Sequence, residues 1–547
     1  MTISRLFHTI RHLMPVQIYG RPIFALKRMF SPAGNPGQLC KLAAELKGRL
    51  LLQAAEDLEL SFLNKAHRFA PAKMQWIADH FSEKPDKLWV YNLNYFRWLH
   101  DGQTEPHSQQ NLFLILDWIE KNSSPQAESW EPYPLSRRIT EWVRWCREHP
   151  DLDEEAAECI RTSIARQCDR LFCDLEYHNQ ANHLLENLKA LFVANAFLAE
   201  YEDSITPALE NRLEFCIDEL VAQIRFQFMP DGAHFERSPM YHVEMLHAIE
   251  TARAANRKLL ELDGISPGLS RKIARLAIVC GDKIPLMRDW LAVMTHPDGK
   301  VAQFNDCALK KGIERDWKSM SYLLESSGFF VRRNPEYYFA LSCGEPSPPF
   351  QPGHSHCDIL SYELSLGGRR CIIDTGCGSY QNSEIREECR RTESHNVPMI
   401  EHSEQSDIWG SFRIGRRASV THRSYDSENG MLTVEFIDQF GQKFRREVIF
   451  KHDSIKIRDR MSDRRITGNF VSLIQLSPEV RVHLDDRPGI YSFTIGNTEF
   501  SISSEARIRP TTSTWYPQFG APIKTEKLVL SNHQAEAIDY VITWKTT

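Results

Sequence analysis

The hydrophobic period of this sequence changes near residue 330, and this change most limits the folds open to it. Between Leu209 and Phe228, apolar residues recur every three or four positions, which is the spacing of one helix face. After the Gly- and Pro-rich segment 344–349, apolar residues from Leu360 to Leu366 occupy alternate positions. That alternation is typical of a half-buried strand. The pattern therefore predicts a helical part followed by a β part.

Further segments repeat each pattern on its own side of the change. Helical spacing is also seen at 135–148, 154–172, 182–201 and 240–258. Period-two alternation is seen at 432–436, 443–450, 469–476, 490–495, 498–503 and 539–544. Successive helices joined by short turns predict helical hairpins packed in a ring or bundle. Many short, closely spaced strands predict an antiparallel sandwich.

Length and composition set outer bounds on the architecture and on the partners. A chain of 547 residues is long enough for two to four domains of about 150 residues. With 42% hydrophobic and 25% charged residues, it has the composition of a soluble globular protein. A net charge of -6 gives no basic excess for nucleic acid, and binding of a polyanion would need a local basic cleft. No segment approaches 18 apolar residues, so no membrane span is expected.

The N-terminal segment and the cysteines bear on localisation. The first 30 residues mix apolar residues with Arg, His and Lys, and they lack the features of a signal peptide. An arm that docks on the protein itself is favoured for this segment, and a membrane-surface role is the alternative. The 13 cysteines include no C-x-x-C pair, which indicates neither a disulfide framework nor a thiolate zinc site. A cytoplasmic location is expected.

The first candidate site lies at the start of a predicted helix. Asn182 precedes His183, and Glu186 and Asn187 follow three and four residues after that histidine. Residues at these spacings share one helix face. This polar cluster could line a cavity. A capped helix start with a hydrogen-bonded histidine is the alternative.

The second candidate is a tyrosine at another helix start. Ser238 followed by Pro239 is a strong helix-start signal, with Ser at the N-cap and Pro at the first helical position. Tyr241 then falls in the first turn, where the helix dipole and Arg237 would both stabilise a phenolate. Such a tyrosine can exchange a proton with a substrate. An ordinary packed aromatic is the alternative.

The third candidate is a histidine cluster at the start of the β part. His354 and His356 are followed by Asp374 and His395, and two histidines with a carboxylate can form a three-ligand zinc site. A simple two-residue turn at 367–368 would leave Asp374 on the wrong strand face, so a bulge, a three-residue turn or a strand end is required to bring Asp374 to His356. Unconnected surface histidines are the alternative.

Together these segments resemble the heparinase II/III-like polysaccharide lyases, over about residues 92–417. Three motifs carry the resemblance: Asn182-His183-x-x-Glu186, the run from Asp231 to Tyr241, and the run from Gly353 to Asp358 with Asp374-x-Gly376 and Ser394-His395-Asn396. The resemblance implies an incomplete α/α toroid followed by an antiparallel β-sandwich. The expected domains are a helical arm at 1–90, the toroid at 91–330 and the sandwich at 331–547.

The resemblance also implies roles for individual residues. Tyr241 and His354 would form the proton-transfer pair, and Asn182 and His183 would hold the carboxylate of the substrate. One divalent metal ion, usually zinc and mainly structural, would be bound by His356, Asp374 and His395. Further substrate contacts are predicted for Glu186, Arg237, Asn305, Arg391 and Trp409.

The resulting functional prediction is β-elimination in a uronic-acid-containing polysaccharide or oligosaccharide. One alternative is a glycoside hydrolase on the same toroid, which would need two carboxylates about 5–9.5 Å apart. Another is a non-catalytic glycan-binding or assembly factor in surface polysaccharide production. The sequence leaves open the identity of the polymer, endo or exo action, and whether the protein is a homodimer.

Overall fold

The structure is a computed structural model, and it describes most of the chain. The described residues are 3–30, 36–50, 57–81, 84–100, 108–122, 127–202, 204–315, 319–483, 489–532 and 536–546. All 13 cysteines are unpaired. None of the described helices combines the length and the apolar character needed to cross a membrane.

Twelve α-helices form within the described residues, eleven of them before residue 300. They are α1 (Ile3–Ile10), α2 (Pro15–Phe30), α3 (Gly37–Arg49), α4 (Lys87–Tyr95), α5 (Ser108–Lys121), α6 (Pro132–Glu148), α7 (Glu154–Cys173), α8 (Ala181–Ala199), α9 (Pro207–Gln227), α10 (Pro239–Leu260), α11 (Pro267–Val293) and α12 (Glu384–Arg390). Each helical run read from the sequence coincides with one of α6 to α10 within a few residues.

Twenty-one strands are described, most of them after residue 318. They are β1 (Leu58–Phe62), β2 (Lys65–Phe69), β3 (Met320–Leu324), β4 (Phe329–Arg333), β5 (Tyr337–Ser342), β6 (Tyr362–Leu366), β7 (Arg369–Ile372), β8 (Pro398–Ile400), β9 (Ile408–Trp409), β10 (Arg413–Ile414), β11 (Ser419–Asp426), β12 (Met431–Ile437), β13 (Lys443–Phe450), β14 (Ser454–Ser462), β15 (Phe470–Gln475), β16 (Arg481–His483), β17 (Ile490–Ile495), β18 (Thr498–Ser504), β19 (Arg507–Trp515), β20 (Ile523–Ser531) and β21 (Ala537–Thr546).

The strands of the C-terminal part form three larger sheets, in which neighbouring strands run antiparallel. Their orders are β11-β12-β13-β14-β21-β18-β17-β16, β19-β20-β15-β8 and β3-β4-β5-β6-β7. Strand β13 illustrates how these sheets pack against a core, because its residues alternate strictly between half-buried and buried. Phe444, Val448 and Phe450 enter the shared apolar core, which stabilises the packing of the sheets. The predicted antiparallel β part is confirmed.

Internal contacts divide the chain into two compact units. One unit comprises Met1–Leu13, Phe228–Leu246 and Pro285–Thr547, and the other comprises Met14–Gln227 and His247–Ile284. The helical unit has a core rich in tryptophan, including the fully buried Trp118 and Trp142. The predicted domain boundaries at residues 90 and 330 remain predictions.

The β6–β7 hairpin contains a β-bulge. Gly367 and Gly368 have φ values of 53° and 81°, as a tight two-residue hairpin turn demands. Leu366 pairs with Arg369 and Ser365 with Arg370, but Leu364 pairs with Ile372, so Cys371 is an extra residue. A β-bulge of this kind moves every later residue of the strand to the other face.

Candidate active site

Tyr241 lies in the first turn of α10, at the position that the Ser-Pro pair predicts. The Ser238 hydroxyl accepts a hydrogen bond from the backbone N–H of Tyr241 at 3.3 Å, and it donates to the carbonyl of Asp306. Pro239 is the first residue of the helix. Ser238 thus caps α10, and its hydrogen bond to Asp306 also joins the helix start to the 305–306 loop. The phenol is half-buried and stands on a rigid support.

The imidazole of His354 lies beside this phenol. The two ring centroids are 4.0 Å apart, and the ring planes are inclined by 31°. Nδ1 of His354 lies 2.8 Å from a carboxylate oxygen of Asp306, and the Asp306 N–H donates to the His354 carbonyl at 3.0 Å. An ionised carboxylate can only accept, so Nδ1 carries the proton and Nε2 keeps its lone pair. The His354 side chain is 13% exposed, which leaves it within reach of a ligand.

Asp306 is ionised in spite of its complete burial. Burial alone would raise its pKa, but the Arg386 guanidinium and the hydrogen bonds with His354 and His356 hold the pKa of Asp306 well below its usual range. Nη2 of Arg386 lies 2.9 Å from Oδ2 of the carboxylate, and Nη1 contacts the other oxygen. Nε2 of His356 is 2.8 Å from Oδ1. One carboxylate therefore orients two imidazoles.

Three buried polar atoms next to this network have no hydrogen-bond partner in the described part of the chain. They are Nδ1 of His356, Nε2 of His395 and Oδ2 of Asp358. The rings of His356 and His395 have centroids 5.3 Å apart, and Nδ1 of His395 is 2.8 Å from Asp374. Burial lowers the pKa of His356 to about 4, so this ring is neutral, as a metal ligand must be. Buried nitrogen and oxygen atoms with unused lone pairs fit a bound cation.

The described residues also include a second, more compact group of possible metal ligands. Within the described ranges, only Asp306, His356 and Cys377 have ligand atoms that all lie within 4.8 Å of one another. The Arg386 guanidinium already contacts both Asp306 and, at 3.3 Å, the Cys377 sulfur. Burial and the Asp306 charge hold the pKa of the Cys377 thiol well above its usual range. A metal ion here would have to displace a cation that is already in place.

The predicted ligand set of His356, Asp374 and His395 is less compact than expected. His356 turns its Nε2 toward Asp306. Asp374 turns toward His395 and also accepts a hydrogen bond from the Ser361 hydroxyl at 3.0 Å. The hydrogen bonds of the Asp374 carboxylate thus go to His395 and Ser361 and do not include His356, and the two imidazoles keep one open nitrogen each.

In the helical unit, His183 is held by a carboxylate that the sequence analysis did not identify. Its Nδ1 lies 3.1 and 3.2 Å from the two oxygens of Glu176, and Asn187 donates to the same carboxylate at 3.2 Å. Burial alone would raise the pKa of Glu176, but His183 and Asn187 hold it below the usual value. The neighbouring Asn182 is 3% exposed, and its side chain makes no hydrogen bond to any described residue.

Glu186, a predicted substrate contact, lies inside the helical unit. Its side chain is only 1% exposed, and the carboxylate lies 2.7 Å from Arg137 and 2.5 Å from Lys189. These two cations outweigh the effect of burial and lower the pKa of Glu186. A carboxylate committed to two buried cations supports the fold of the unit and does not face a ligand.

Arg237 and Asn305 are also supporting residues. The Arg237 guanidinium donates to the backbone carbonyls of Ser327 and Glu345, so it does not stabilise a phenolate as the sequence analysis expected. The Asn305 amide donates to the Arg237 carbonyl at 3.0 Å and accepts from the His356 N–H at 3.1 Å. Both side chains hold backbone segments that carry Tyr241 and His356.

Arg391 and Trp409 line a separate pocket of about 640 Å³ in the sandwich-containing unit. Nε1 of Trp409 lies 3.2 Å from the Thr9 hydroxyl, and the Arg413 guanidinium lies 4.7 Å from the centroid of the Trp409 ring. Arg391 is paired with Glu387 at 3.3 Å. Their role as substrate contacts stays a prediction.

Two sequence profiles of one family match this chain. The profile described as Heparinase II/III N-terminus matches residues 81–322, and the profile described as Heparinase II/III-like, C-terminal matches residues 318–544. A heparin-sulfate lyase of Pedobacter heparinus is 22% identical over 68% of this chain and 63% of its own length. A heparin-sulfate lyase of Bacteroides stercoris is 25% identical over 40% of this chain and 36% of its own. The chain thus spans less than two thirds of the length of either relative.

Solved structures resemble the fold. A crystal structure of heparinase III superposes with a TM-score of 0.65 at 17% identity, covering 86% of this chain and 78% of the other. A heparan sulfate lyase mutant from Pedobacter heparinus gives a TM-score of 0.60 at 16% identity, covering 97% and 89%. At these identities the likeness concerns the fold, and it confirms the predicted class of an incomplete α/α toroid followed by an antiparallel β-sandwich.

Proposed function

This chain belongs to the heparinase II/III-like family, and we propose that it cleaves a uronic-acid-containing polysaccharide or oligosaccharide by β-elimination. The names of its relatives, both heparin-sulfate lyases, support an acidic glycan as substrate. The observation that carries the proposal is the adjacent pair of Tyr241 and His354, whose ring centroids are 4.0 Å apart.

The pair has the properties that a proton-transfer site needs. Asp306 accepts the Nδ1 proton of His354, so Nε2, which lies 4.0 Å from a Glu236 carboxylate oxygen, has the lone pair of a base. The Tyr241 phenol can donate a proton and take one back. A general base and a general acid beside the sugar ring are the groups that the proton transfers of an elimination need.

In the proposed reaction, the base removes the proton at C5 of the uronate. The electron pair of that bond forms the C4–C5 double bond, the C4–O4 bond breaks, and the departing O4 takes a proton from the acid. Water is not consumed, and the product carries an unsaturated sugar at its new end. Tyr241 either takes the C5 proton and then protonates O4, or it protonates O4 while His354 takes the C5 proton.

Loss of the C5 proton builds negative charge on the uronate carboxylate, and fixed donors must meet that charge. We assign this role to Asn182 and His183. The Asn182 amide has donors that no described residue uses. Nδ1 of His183 lies beside the Glu176 carboxylate, so His183 would donate through Nε2–H as an imidazolium, a form that the Glu176 charge favours.

We also propose that one divalent cation, with zinc as first choice, is bound by His356 and His395 together with a carboxylate. The open ring nitrogens of both histidines support this assignment, and imidazole is a preferred zinc ligand. The carboxylate is Asp374, as the family resemblance implies, or Asp358, whose Oδ2 is unpaired among the described residues. When bound, the ion would stabilise the segment that carries His354.

A glycoside hydrolase is a weaker alternative. It needs two carboxylates that reach the glycosidic bond. Glu186 and Asp306 are fully buried and committed to cations, and Glu236 is only 1% exposed.

The deciding experiment is a screen of uronate-containing polymers, heparan sulfate among them, followed by ultraviolet absorbance of unsaturated product. Tyr241→Phe should abolish the absorbance while the protein remains folded. Tyr322→Phe, which removes a hydroxyl that contacts Met320, is the matched control and should keep full activity. Reducing ends without absorbance would indicate hydrolysis and overturn the proposal.

A further inference from the structure

Helix α1 packs on the protein through its polar face. Arg5 pairs with both oxygens of Asp407, at 2.6 and 3.0 Å, and the Thr9 hydroxyl lies 3.2 Å from Nε1 of Trp409. The opposite face is apolar and exposed, and it consists of Ile3 (89% exposed), Leu6, Phe7 (62% exposed) and Ile10. These positions follow the i, i+3, i+4, i+7 spacing of one helix stripe. A helix of a globular protein normally buries this stripe, and α1 presents it outward.

Helix α2 has the same arrangement within the helical unit. Its packed side contains Gln17, Gly20 and Phe24: the Phe24 ring lies 4.3 Å from the His178 ring, and a Cβ at Gly20 would lie 3.0 Å from the same residue. Its outer side consists of five exposed large apolar residues: Ile18, Tyr19, Ile23, Leu26 and Met29. They span less than half of the helix circumference at 100° per residue.

The charge of this segment is one-sided. Residues 1–44 contain six Lys and Arg residues and no Asp or Glu. Arg11, Arg21 and Lys27 are exposed, and within the described ranges no carboxylate pairs with them. The segment therefore combines two outward apolar stripes with unpaired positive charge, although the whole chain has a net charge of -6.

We propose that α1 and α2 bind the surface of an anionic lipid membrane. An amphipathic helix with an apolar face and a cationic flank lies in the plane of such a surface, with its apolar side chains below the headgroups. Lys and Arg near the headgroups add electrostatic attraction. A second copy of the same segment is a less suitable partner than a membrane, because it would bring like charges together. An acidic protein is also less suitable, because it would need a separate apolar pocket for each of the two stripes. The proposal does not depend on the lyase activity.

The test is flotation of the full-length protein with two kinds of vesicle, one of phosphatidylcholine alone and one of phosphatidylcholine mixed with phosphatidylglycerol. The wild-type protein should float with the anionic vesicles and not with the neutral ones. Phe7→Glu and Leu26→Glu should each lower the bound fraction about tenfold, because a carboxylate replaces an apolar group that would lie below the lipid headgroups. Arg21→Gln and Lys27→Gln should each lower it about fivefold.

Ile278→Glu is the matched control, since Ile278 is 64% exposed on α11 and lies outside the segment. Its flotation should equal that of the wild type, and circular dichroism should be the same for all variants. The proposal is overturned if the wild-type protein does not float with anionic vesicles, or if Phe7→Glu and Leu26→Glu float as well as Ile278→Glu. A concentration-dependent doubling of mass that the same substitutions abolish, without flotation, would assign the segment to self-association instead.

Discussion

Arg386 and Asp306 form a bidentate ion pair in which both side chains are 0% exposed. The pair lies at the centre of the candidate site, because the same carboxylate contacts His354 and His356. A buried charge without a partner is strongly destabilising. The ion pair therefore couples the stability of the fold to the orientation of the proposed base.

Asp306→Asn should impair stability and turnover together. It leaves Arg386 buried without its counter-charge, which costs about 3–5 kcal/mol, and it removes the anion that fixes the His354 tautomer. We expect kcat to fall by about 10²–10⁴, measured by product absorbance at saturating substrate. Asp407→Asn, at the partly exposed pair with Arg5, should change stability by less than about 1 kcal/mol. Full kcat in the Asp306→Asn variant would remove Asp306 from the mechanism.

Metal content should separate the proposed ligands. His356→Ala and His395→Ala should each abolish the bound ion and lower the melting temperature, since a structural ion stabilises only the folded state. Asp374→Asn and Asp358→Asn distinguish the two candidate carboxylates: the true ligand loses metal on substitution, and the other retains it. Elemental analysis of the purified variants is the measurement. Unchanged metal in the His356→Ala variant would refute the assignment.

His242 should contribute a loss of stability in mild acid. Its Nε2 lies 2.9 Å from the Met287 carbonyl and its Nδ1 accepts from the His234 N–H, so the buried ring is neutral. Burial lowers its pKa to about 4, below the unfolded value of about 6.5. The unfolded state then binds the proton more tightly, and stability falls as the pH drops from about 6.5 toward 4, by about 3 kcal/mol in all.

The matched variant is His242→Gln, which can keep one donor and one acceptor. Its unfolding free energy should change less than that of the wild type between neutral pH and about pH 5, by about 2 kcal/mol. Parallel curves for the two proteins would show that His242 does not titrate as described.

Glu186→Gln should destabilise the helical unit without a specific effect on substrate binding. It leaves Arg137 and Lys189 buried beside each other, which costs about 3–5 kcal/mol. Glu148→Gln, at the exposed pair with Arg144, should cost less than about 1 kcal/mol. Denaturation of both variants checks this, and KM of folded Glu186→Gln protein should remain near the wild-type value. A raised KM with normal stability would restore Glu186 as a substrate contact.

Local patterns were sufficient for much of the fold. The alternation in β13 and the helical spacing in α9 are properties of consecutive residues, and so is the cap that Ser238 forms for α10. Counting positions along the chain also predicts an irregularity between β6 and β7, and a bulge is found at Cys371. The approach of Asp374 to His356 that this irregularity was expected to produce stays a prediction.

The remaining features depend on contacts between distant segments. Asp306 and Arg386 are 80 residues apart, and no spacing rule connects them. Glu186 was placed on a shared face with His183, but α8 is buried on nearly every side, so the face argument could not tell which direction leads to solvent. Arg237 was assigned to a phenolate because it is near Tyr241 in sequence, whereas the folded chain directs its side chain to two carbonyls.

The extra residue in β7 has a consequence for any redesign of the sandwich. Because Cys371 shifts the pairing of β7 by one residue, the faces on which the side chains of this strand lie depend on the number of residues in the hairpin. Side-chain exchanges in the hairpin should keep that pairing where they fit, whereas removal of one residue would change it. A deletion there should therefore be tolerated less well than a substitution.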